Sequence, residues 1–501
     1  MTERSPTRPK VTVYVPCHQY GRFVEECLQS LARQSCQAWE AVLVDDGSTD
    51  DTPLLLESFR SRFPDRVRIV THAQPLGLRA CANAALELAL SDYVMRLDAD
   101  DYLDENALLV LASYLDSHPE VGLVYPNWTY IDEAGAFIGL ERRKRLWEET
   151  TVPDLPAHGA CSMVRRRVLK AVGGYDADLG AQDGHELWLK TLYRHGVANV
   201  ETPLFFYRQH GESLSTNEAR LLDSRREVKR RAALSGRGPV SPRVAIVLPV
   251  KNSYEHAPNL ALLPIAGKAL LDYTLDSVAG DNAWCGVLVA TDDPDVVAHC
   301  ERRGDVHAYL RARALSAAEV PLVDVVVDAV HHFEQLLGVH PDIVVVLSAH
   351  TPLRRAEHIH EAVHTLLLYP VGQVVSTWEN HDLQYRHGSA GMEAVNATAM
   401  SGTRQERDAL YSCNGAVHAL WRESVTREHY LTGRVGHIVM TRTESLIAKK
   451  PDERRWLELL LEADAEADGA TSGVDTAAAA PAQAAGDEIP GAPPPPHEVS
   501  A

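Results

Sequence analysis

The stretch VMRLDADDYLDENALLVL, residues 94–111, decides how this chain is read. An apolar run stops at Leu97 and gives way to Asp98, Asp100 and Asp101; a helical pattern follows. A buried strand finishing on carboxylates makes sense if something binds beyond its end. In open α/β sheets, ligands sit outside the carboxyl ends of the strands. A second cluster has the same form: VLVDDGSTDDT, residues 42–52, sets Asp45 and Asp46 after a buried run. Carboxylates spaced i, i+2 on a strand-to-loop turn suit a hard divalent cation, Mg2+ or Mn2+, of the kind shared with substrate phosphates. Either cluster alone also fits a solvated Asp/Gly turn. Two of them at strand ends of one unit point to a site that takes a metal and, through it, a diphosphate.

The same alternation of strand and helix extends both ways. KVTVYVPCHQY from Lys10 and RVAIVLPVKNS from Arg243 begin alike, each a β-branched run closing on Pro and a polar loop. Each is followed by helical and strand patterns in turn, which implies βαβ units. The expectation is an α/β protein with two tandem Rossmann-like domains, residues 1–234 and 243–462. The Gly/Pro/Ser-rich 235–242 serves as linker, and the Ala/Pro-rich 463–501 is a disordered tail.

At 501 residues and a net charge of −20, the chain is acidic, which argues against nucleic acid or an anionic bilayer as its main partner. Local basic runs, ERRKR at 141 and RREVKRR at 225, read as solvated loop or helix faces. No apolar run approaches the ~20 residues of a membrane span, and the N-terminus has no signal-like apolar core. The eight cysteines have no framework spacing and read as buried thiols of a reducing compartment, so a cytoplasmic location is expected.

Residues 10–225 carry VYVPCHQYGRFVEECLQSLARQSCQAWEAVLVDDGSTDDT, GLRACANAALELALSDYVMRLDADD, GACSMVRRRVLKAVGGYD, QDGHELWLKTL and YRQHGESLS, in that order. This segment resembles family 2 of the inverting glycosyltransferases, with the GT-A fold. The resemblance implies transfer of a sugar from a nucleotide-diphosphate donor, a UDP-sugar in the first instance, to a carbohydrate, lipid-linked or protein acceptor. Pro16 then begins the loop that meets the base. Asp45 and Asp46 contact uracil or ribose, Asp98 lies near the ribose, and Asp100 is the metal ligand. Arg208 falls beside the diphosphate and His210 can ligate the metal. The family's base motif is an acidic pair, two further residues and Leu-Trp; Gln182 takes the first place and Asp183 keeps the base position. Where the family often has Arg before Asn83, Ala82 stands, and Arg79 is a candidate substitute.

Residues 243–462 resemble the nucleotidyltransferases that make CMP-activated acidic sugars, through IAGKALLDYTLDSV, GVLVATDDPDVVAHCERRG, VVVLSAHTPLRRAEHIHEAV, VVSTWENHD, TRQERDALYSCNGAVHAL and ERRWLELLL. A nucleotidyltransferase-like fold follows, but its machinery is depleted. The family's Gly-rich basic loop is replaced by PVKNSYEHAPN, with Lys251 its one cation, and Lys449 and Pro451 occupy the places of the metal-binding aspartates. A lysine there repels the cation it should hold. Arg354, Arg404, Gln405 and Asn414 retain motif positions. The His360-Glu361-x-x-His364 pattern resembles a zinc-protease motif but is better read as an ordinary surface helix with no third ligand. The expected function is a metal-dependent glycosyltransferase with an inactive second domain. The alternatives are a bifunctional enzyme that also makes a CMP-sugar, and a non-catalytic carbohydrate-binding scaffold.

Overall fold

The computed structural model describes residues 8–141, 159–176, 183–211, 218–235, 241–252, 257–317, 319–389, 391–396, 407 and 409–472. The first half runs β1 (Val11–Cys17), α1 (Val24–Ala32), β2 (Trp39–Asp46), α2 (Thr52–Arg62), β3 (Val67–His72), α3 (Leu78–Leu88), β4 (Tyr93–Arg96) and β5 (Tyr102–Leu103). It continues through α4 (Ala107–Ser117), β6 (Leu123–Ile131), β7 (Phe137–Glu141), β8 (Met163–Arg165), α5 (Arg166–Ala171), α6 (Asp183–His195), β9 (Val197–Arg208) and α7 (Glu218–Ser235). Among the described residues nine strands form one sheet in the order β3-β2-β1-β4-β8-β6-β9-β5, with β7 on β6. The β3-β2-β1-β4 half is parallel. Beyond β4 the pairing is mixed, with β8 antiparallel to both its neighbours and β6 parallel to β9.

Strand order reverses between β1 and β4, the topological switch point where such sheets hold ligands. Every residue of β1 and β2 is buried, because helices cover both faces. Val11, Val13, Val15 and Cys17 join one core with α1, α2 and α4, while Tyr14 points to the other face, among Cys81, Ala82 and Ala85 of α3. Pro16 lies within β1, paired with Val44, and the loop starts at His18 rather than at the proline. Tyr14 pairs with Arg96, the last residue of β4, so Pro16 faces a side where the ladder has ended and its missing N–H costs nothing.

The second half comprises β10 (Val244–Val250), β11 (Pro264–Ile265), β12 (Lys268–Ala269), α8 (Leu270–Asp276), β13 (Trp284–Thr291), α9 (Pro294–Arg303), β14 (His307–Leu310), α10 (Leu322–Leu337), β15 (Ile343–Leu347) and α11 (Ala356–Leu368). Then come β16 (Gln373–Asn380), β17 (Tyr385–Gly388), β18 (Gly391–Ala394), β19 (Leu410–Trp421), β20 (Val435–Val439) and α12 (Pro451–Ser472). A seven-stranded sheet has the order β14-β13-β10-β15-β19-β16-β20.

Three expectations change. The helix α12 runs to Ser472, into the segment expected to be disordered from 463, since LEADAEADGATS keeps helix-favouring residues; 473–501 lie outside the described residues. Of the eight cysteines, Cys36 and Cys285 are half-buried and Cys413 is exposed. And α11 is no surface helix: His358 and Glu361 are buried against α7.

Candidate functional site

The carboxyl ends of β1, β2 and β4 converge on one crevice, and the acidic loop after β4 forms its floor. Ligand oxygens of Asp98, Asp100 and Asp101 lie within 4.8 Å of one another. Burial, then the charge of Asp98, pushes the Asp100 carboxyl above the ordinary carboxylate range. Asp101 is pushed further, by burial and by the charges of Asp100 and Asp98. Three acids held this close out of water disfavour their own ionisation. The Asp101 Oδ2 atom is buried with no hydrogen-bond partner among the described residues. An oxygen-only donor set with an unsatisfied buried carboxylate oxygen fits a hard divalent cation.

What places residues 208 and 210 on this floor is β5. Its two residues pair antiparallel with β9, Tyr102 with Phe206 and Leu103 with Phe205, and the Tyr102 and Phe206 rings stack at 4.4 Å. That short zipper carries the end of β9 to the acidic loop. The Arg208 N–H donates to Asp101 Oδ1 at 2.8 Å, and His210 Nε2 lies 2.9 Å from Asp100 Oδ2.

Arg208 itself requires a correction. Expected beside the diphosphate, it is 2% exposed, and its guanidinium is engaged by the chain. Nε donates to the Asp100 carbonyl at 2.8 Å, one terminal nitrogen to the carbonyls of Asp132 and Glu133, and the other to Glu26 at 2.5 Å. In this geometry it clamps the acidic loop to two neighbouring segments.

Asp46 closes the other wall. It accepts from His72 Nδ1 at 2.6 Å, from the Leu76 N–H at 2.9 Å and from the Gly77 N–H at 2.8 Å. Burial works against its charge, but these donors outweigh it and hold the carboxyl below its ordinary range. Asp45 accepts the Ser48 N–H at 3.1 Å. Gly47 between them has φ +71°, and a Cβ there would meet the backbone of Gln74 and Pro75 at 2.9 Å, so no other residue fits. Gln19, at φ +61°, ties the β1 loop to this turn by accepting the N–H groups of Thr49 and Asp50.

Several members escaped the sequence reading. Arg96 grips Asp98 with two bonds, 2.5 and 2.7 Å, and so sets its orientation. Tyr20 faces the acidic floor: burial and then the charges of Asp100 and Asp98 push its phenol up. The signal for Arg96 was its i−2 spacing from Asp98; His72 and Tyr20 had none.

Asp183 opens α6, a helix anchored by Trp188, which is fully buried edge-on to Tyr125 at 5.5 Å. Three residues, Gly184, His185 and Glu186, separate Asp183 from Leu187, one more than the family spacing. Counted back from Leu187, the two-residue spacer is His185–Glu186 and the base position falls on Gly184. Asp183 therefore reaches the base position only with one extra residue in the first turn. Gln182 lies outside the described residues. Arg79, the candidate substitute for the missing arginine, donates to the Asp176 carbonyl at 2.9 Å and sits 3.9 Å from Glu186, so it supports α6.

At the strand ends of the second sheet the retained residues are engaged too. Lys251 Nζ donates to the Ser316 carbonyl at 3.3 Å. Arg354 is buried on the carbonyls of Ser348 and Ala416. Asn414 bonds Ser376 and Ser445. Arg404 and Gln405 lie outside the described residues.

Comparison with known proteins agrees with this architecture. The Glycosyl transferase family 2 model matches residues 12–173 and the Cytidylyltransferase model residues 257–409. The latter match begins after Lys251 and ends before Asn414. The amylovoran biosynthesis glycosyltransferase AmsE of Erwinia amylovora is 31% identical over 194 residues, 37% of this chain and 70% of that protein. The putative glycosyltransferase EpsE of Bacillus subtilis is 26% identical over 214 residues, 41% of this chain and 75% of that one. The chain thus belongs to glycosyltransferase family 2, with a cytidylyltransferase domain fused behind the transferase domain. Other relatives are larger, and the chain spans 17% to 30% of their length. Among solved structures, residues 1–349 of S. aureus TarS in complex with UDP-GlcNAc overlay with a TM-score of 0.38, 21% identity, and coverage of 46% of this chain and 68% of that one. No helix among the described residues is long and apolar enough to cross a membrane.

Proposed function

We propose that the chain is a metal-dependent, inverting glycosyltransferase that uses a UDP-sugar and builds a surface polysaccharide or other glycoconjugate. The observation that carries this is the floor of the crevice: Asp98, Asp100 and Asp101 within 4.8 Å, with His210 on Asp100 and a buried, unsatisfied oxygen on Asp101. Asp100, His210 and the neighbouring carboxylates would hold Mn2+ or Mg2+, and the bound cation would supply charge neutralisation to the departing diphosphate. Asp46, pinned by the β3–α3 loop, and Asp45, held by the Ser48 N–H, meet base and ribose, beside the β1 loop that follows Pro16. Asp98 is oriented by Arg96 toward the ribose. Arg208 acts on the donor indirectly, by fixing the loop that carries Asp100.

The acceptor hydroxyl attacks the anomeric carbon from the face opposite the diphosphate. The new C–O bond forms as the bond to the diphosphate oxygen breaks, and the proton passes to the Asp183 carboxylate. The polysaccharide setting is supported by AmsE, whose name places it in amylovoran synthesis. The fused domain has lost the phosphate loop and the metal carboxylates, and Lys251, Arg354 and Asn414 are engaged internally. It performs no cytidylyl transfer, and the chain acts in the cytoplasm.

A thermal-shift screen of UDP, GDP, CDP and dTDP sugars, with and without Mn2+, tests the reading, because stabilisation follows ligand occupancy. A rise confined to UDP-sugars with Mn2+ is expected. Absence of any metal-dependent rise removes the assignment.

A further inference from the structure

Two segments that read from sequence as solvated surface, RREVKRR at 225–231 and HIHEAVH at 358–364, meet in the structure and bury each other's charges. Glu361 of α11 is 2% exposed and lies between two cations of α7. Its Oε1 is 3.1 Å from Lys229 Nζ and its Oε2 3.2 Å from Arg226 Nε. Both cations are themselves buried. Burial works against the Glu361 charge, but Lys229 and Arg226 hold it ionised. A second tie at the rim joins Arg226 to Asp223, which lies 3.8 Å from Arg355.

The helix so gripped is the one on which α6 rests. Val228 shares a single buried cluster with Leu187, Trp188, Leu189 and Leu192 of α6 and with Ile359, Ala362 and Leu366 of α11. His185, in the first turn of α6, is buried with no hydrogen-bond partner among the described residues for either ring nitrogen, and its pKa is held down by burial and then by Arg225 and Lys229. Further along α7, Arg231 comes within 3.7 Å of Asp176, which binds Lys190 of α6. Apolar packing alone does not fix this arrangement, because a half-open pocket of about 510 Å3 lies here, lined by Leu189, Val228 and Leu368 and also by the charged Asp176, Glu186 and Lys190. An incompletely filled interface tolerates slip. A buried carboxylate facing two cations three residues apart on one helix accepts one register only.

We propose that Glu361, in the cytidylyltransferase-like domain, is a positioning residue for glycosyl transfer: it sets α7, and α7 sets the first turns of α6. The second domain then serves the reaction as a brace. This rests on the reading of Asp183, at the start of α6, as the base.

The test uses the full chain with Arg226→Met, Lys229→Met and Glu361→Met combined, which removes the charges while keeping buried volume, so that folding survives where a single neutralisation strands a charge. Glu361→Asp, which keeps the charge and shortens its reach by one methylene, is the second variant and decides the matter if the triple variant does not melt cooperatively. Amide exchange over 183–192 is expected to speed about tenfold in the triple variant and less in Glu361→Asp. The turnover kcat should fall up to about 10²-fold with the donor KM unchanged. Wild-type exchange in α6 in folded variants overturns the proposal. Exchange needs no substrate, so a failure to find any sugar transfer would count against Asp183 as base while the brace is still judged on its own readout.

Discussion

Asp183 stands at the start of a helix, one residue further from Leu-Trp than family spacing allows, and that makes it the most exposed point of the proposed chemistry. Asp183→Asn keeps shape and removes basicity. It is expected to lower kcat by about 10²- to 10⁴-fold while Mn2+ with UDP still raises the melting temperature. Full activity in that variant would move the base elsewhere. The clustering of strand-end carboxylates was legible because Asp45, Asp46, Asp98 and Asp100 each follow an apolar run. The residues that orient them were not, since Arg96, His72 and the N–H groups of Leu76 and Gly77 act through three-dimensional proximity. Arg208 shows the converse. Its position was readable, but the partners of its guanidinium, at residues 26, 100, 132 and 133, come from three separate segments.

Among the elements, the two-residue β5 brings the end of β9 to the acidic loop, and α6 carries the proposed base. Trp188 is fully buried and holds α6 against β6. Trp188→Ala should cost about 3–5 kcal/mol, seen as a lower urea midpoint, with transfer activity lost before the fold as α6 loosens. The apolar periodicity of α6 was visible in the sequence, as was that of the β1–β4 βαβ units. The zipper of β5 on β9 was not, because two residues carry no periodicity and the partner lies about a hundred positions away. The mixed pairing beyond β4 was hidden for the same reason: alternation tells that a strand is buried and says nothing of its neighbour's direction.

At the scale of the whole molecule, the two sheets share one buried cluster through α7 and α11, so stress in one domain reaches the other. Burial holds His418 at about 4 and, with some help from Lys449, His350 at about 4, against about 6.5 for an exposed imidazole. Between those values the unfolded chain binds protons that the folded chain refuses. Stability present above pH ~6.5 is therefore lost as pH falls toward 4, by about 1.4 kcal/mol per pH unit for each group. A double His350→Gln, His418→Gln variant should lose that part of the slope in melts from pH 7 to 4.5; an unchanged slope would place the protons elsewhere.

The order of apolar and polar residues determined by itself that this is an α/β protein of two like-built halves, with an acidic ligand end in the first and a depleted one in the second. Strand-end chemistry and helical spacing are local, and composition records them. Only the tertiary structure decided which charges are solvent-facing and which are buried partners. The basic run on α7 and the Glu361 motif on α11 each look like surface until 135 residues of chain fold back, and burial then turns ordinary surface charges into a paired cluster that cannot be broken singly without leaving an ion in the dark.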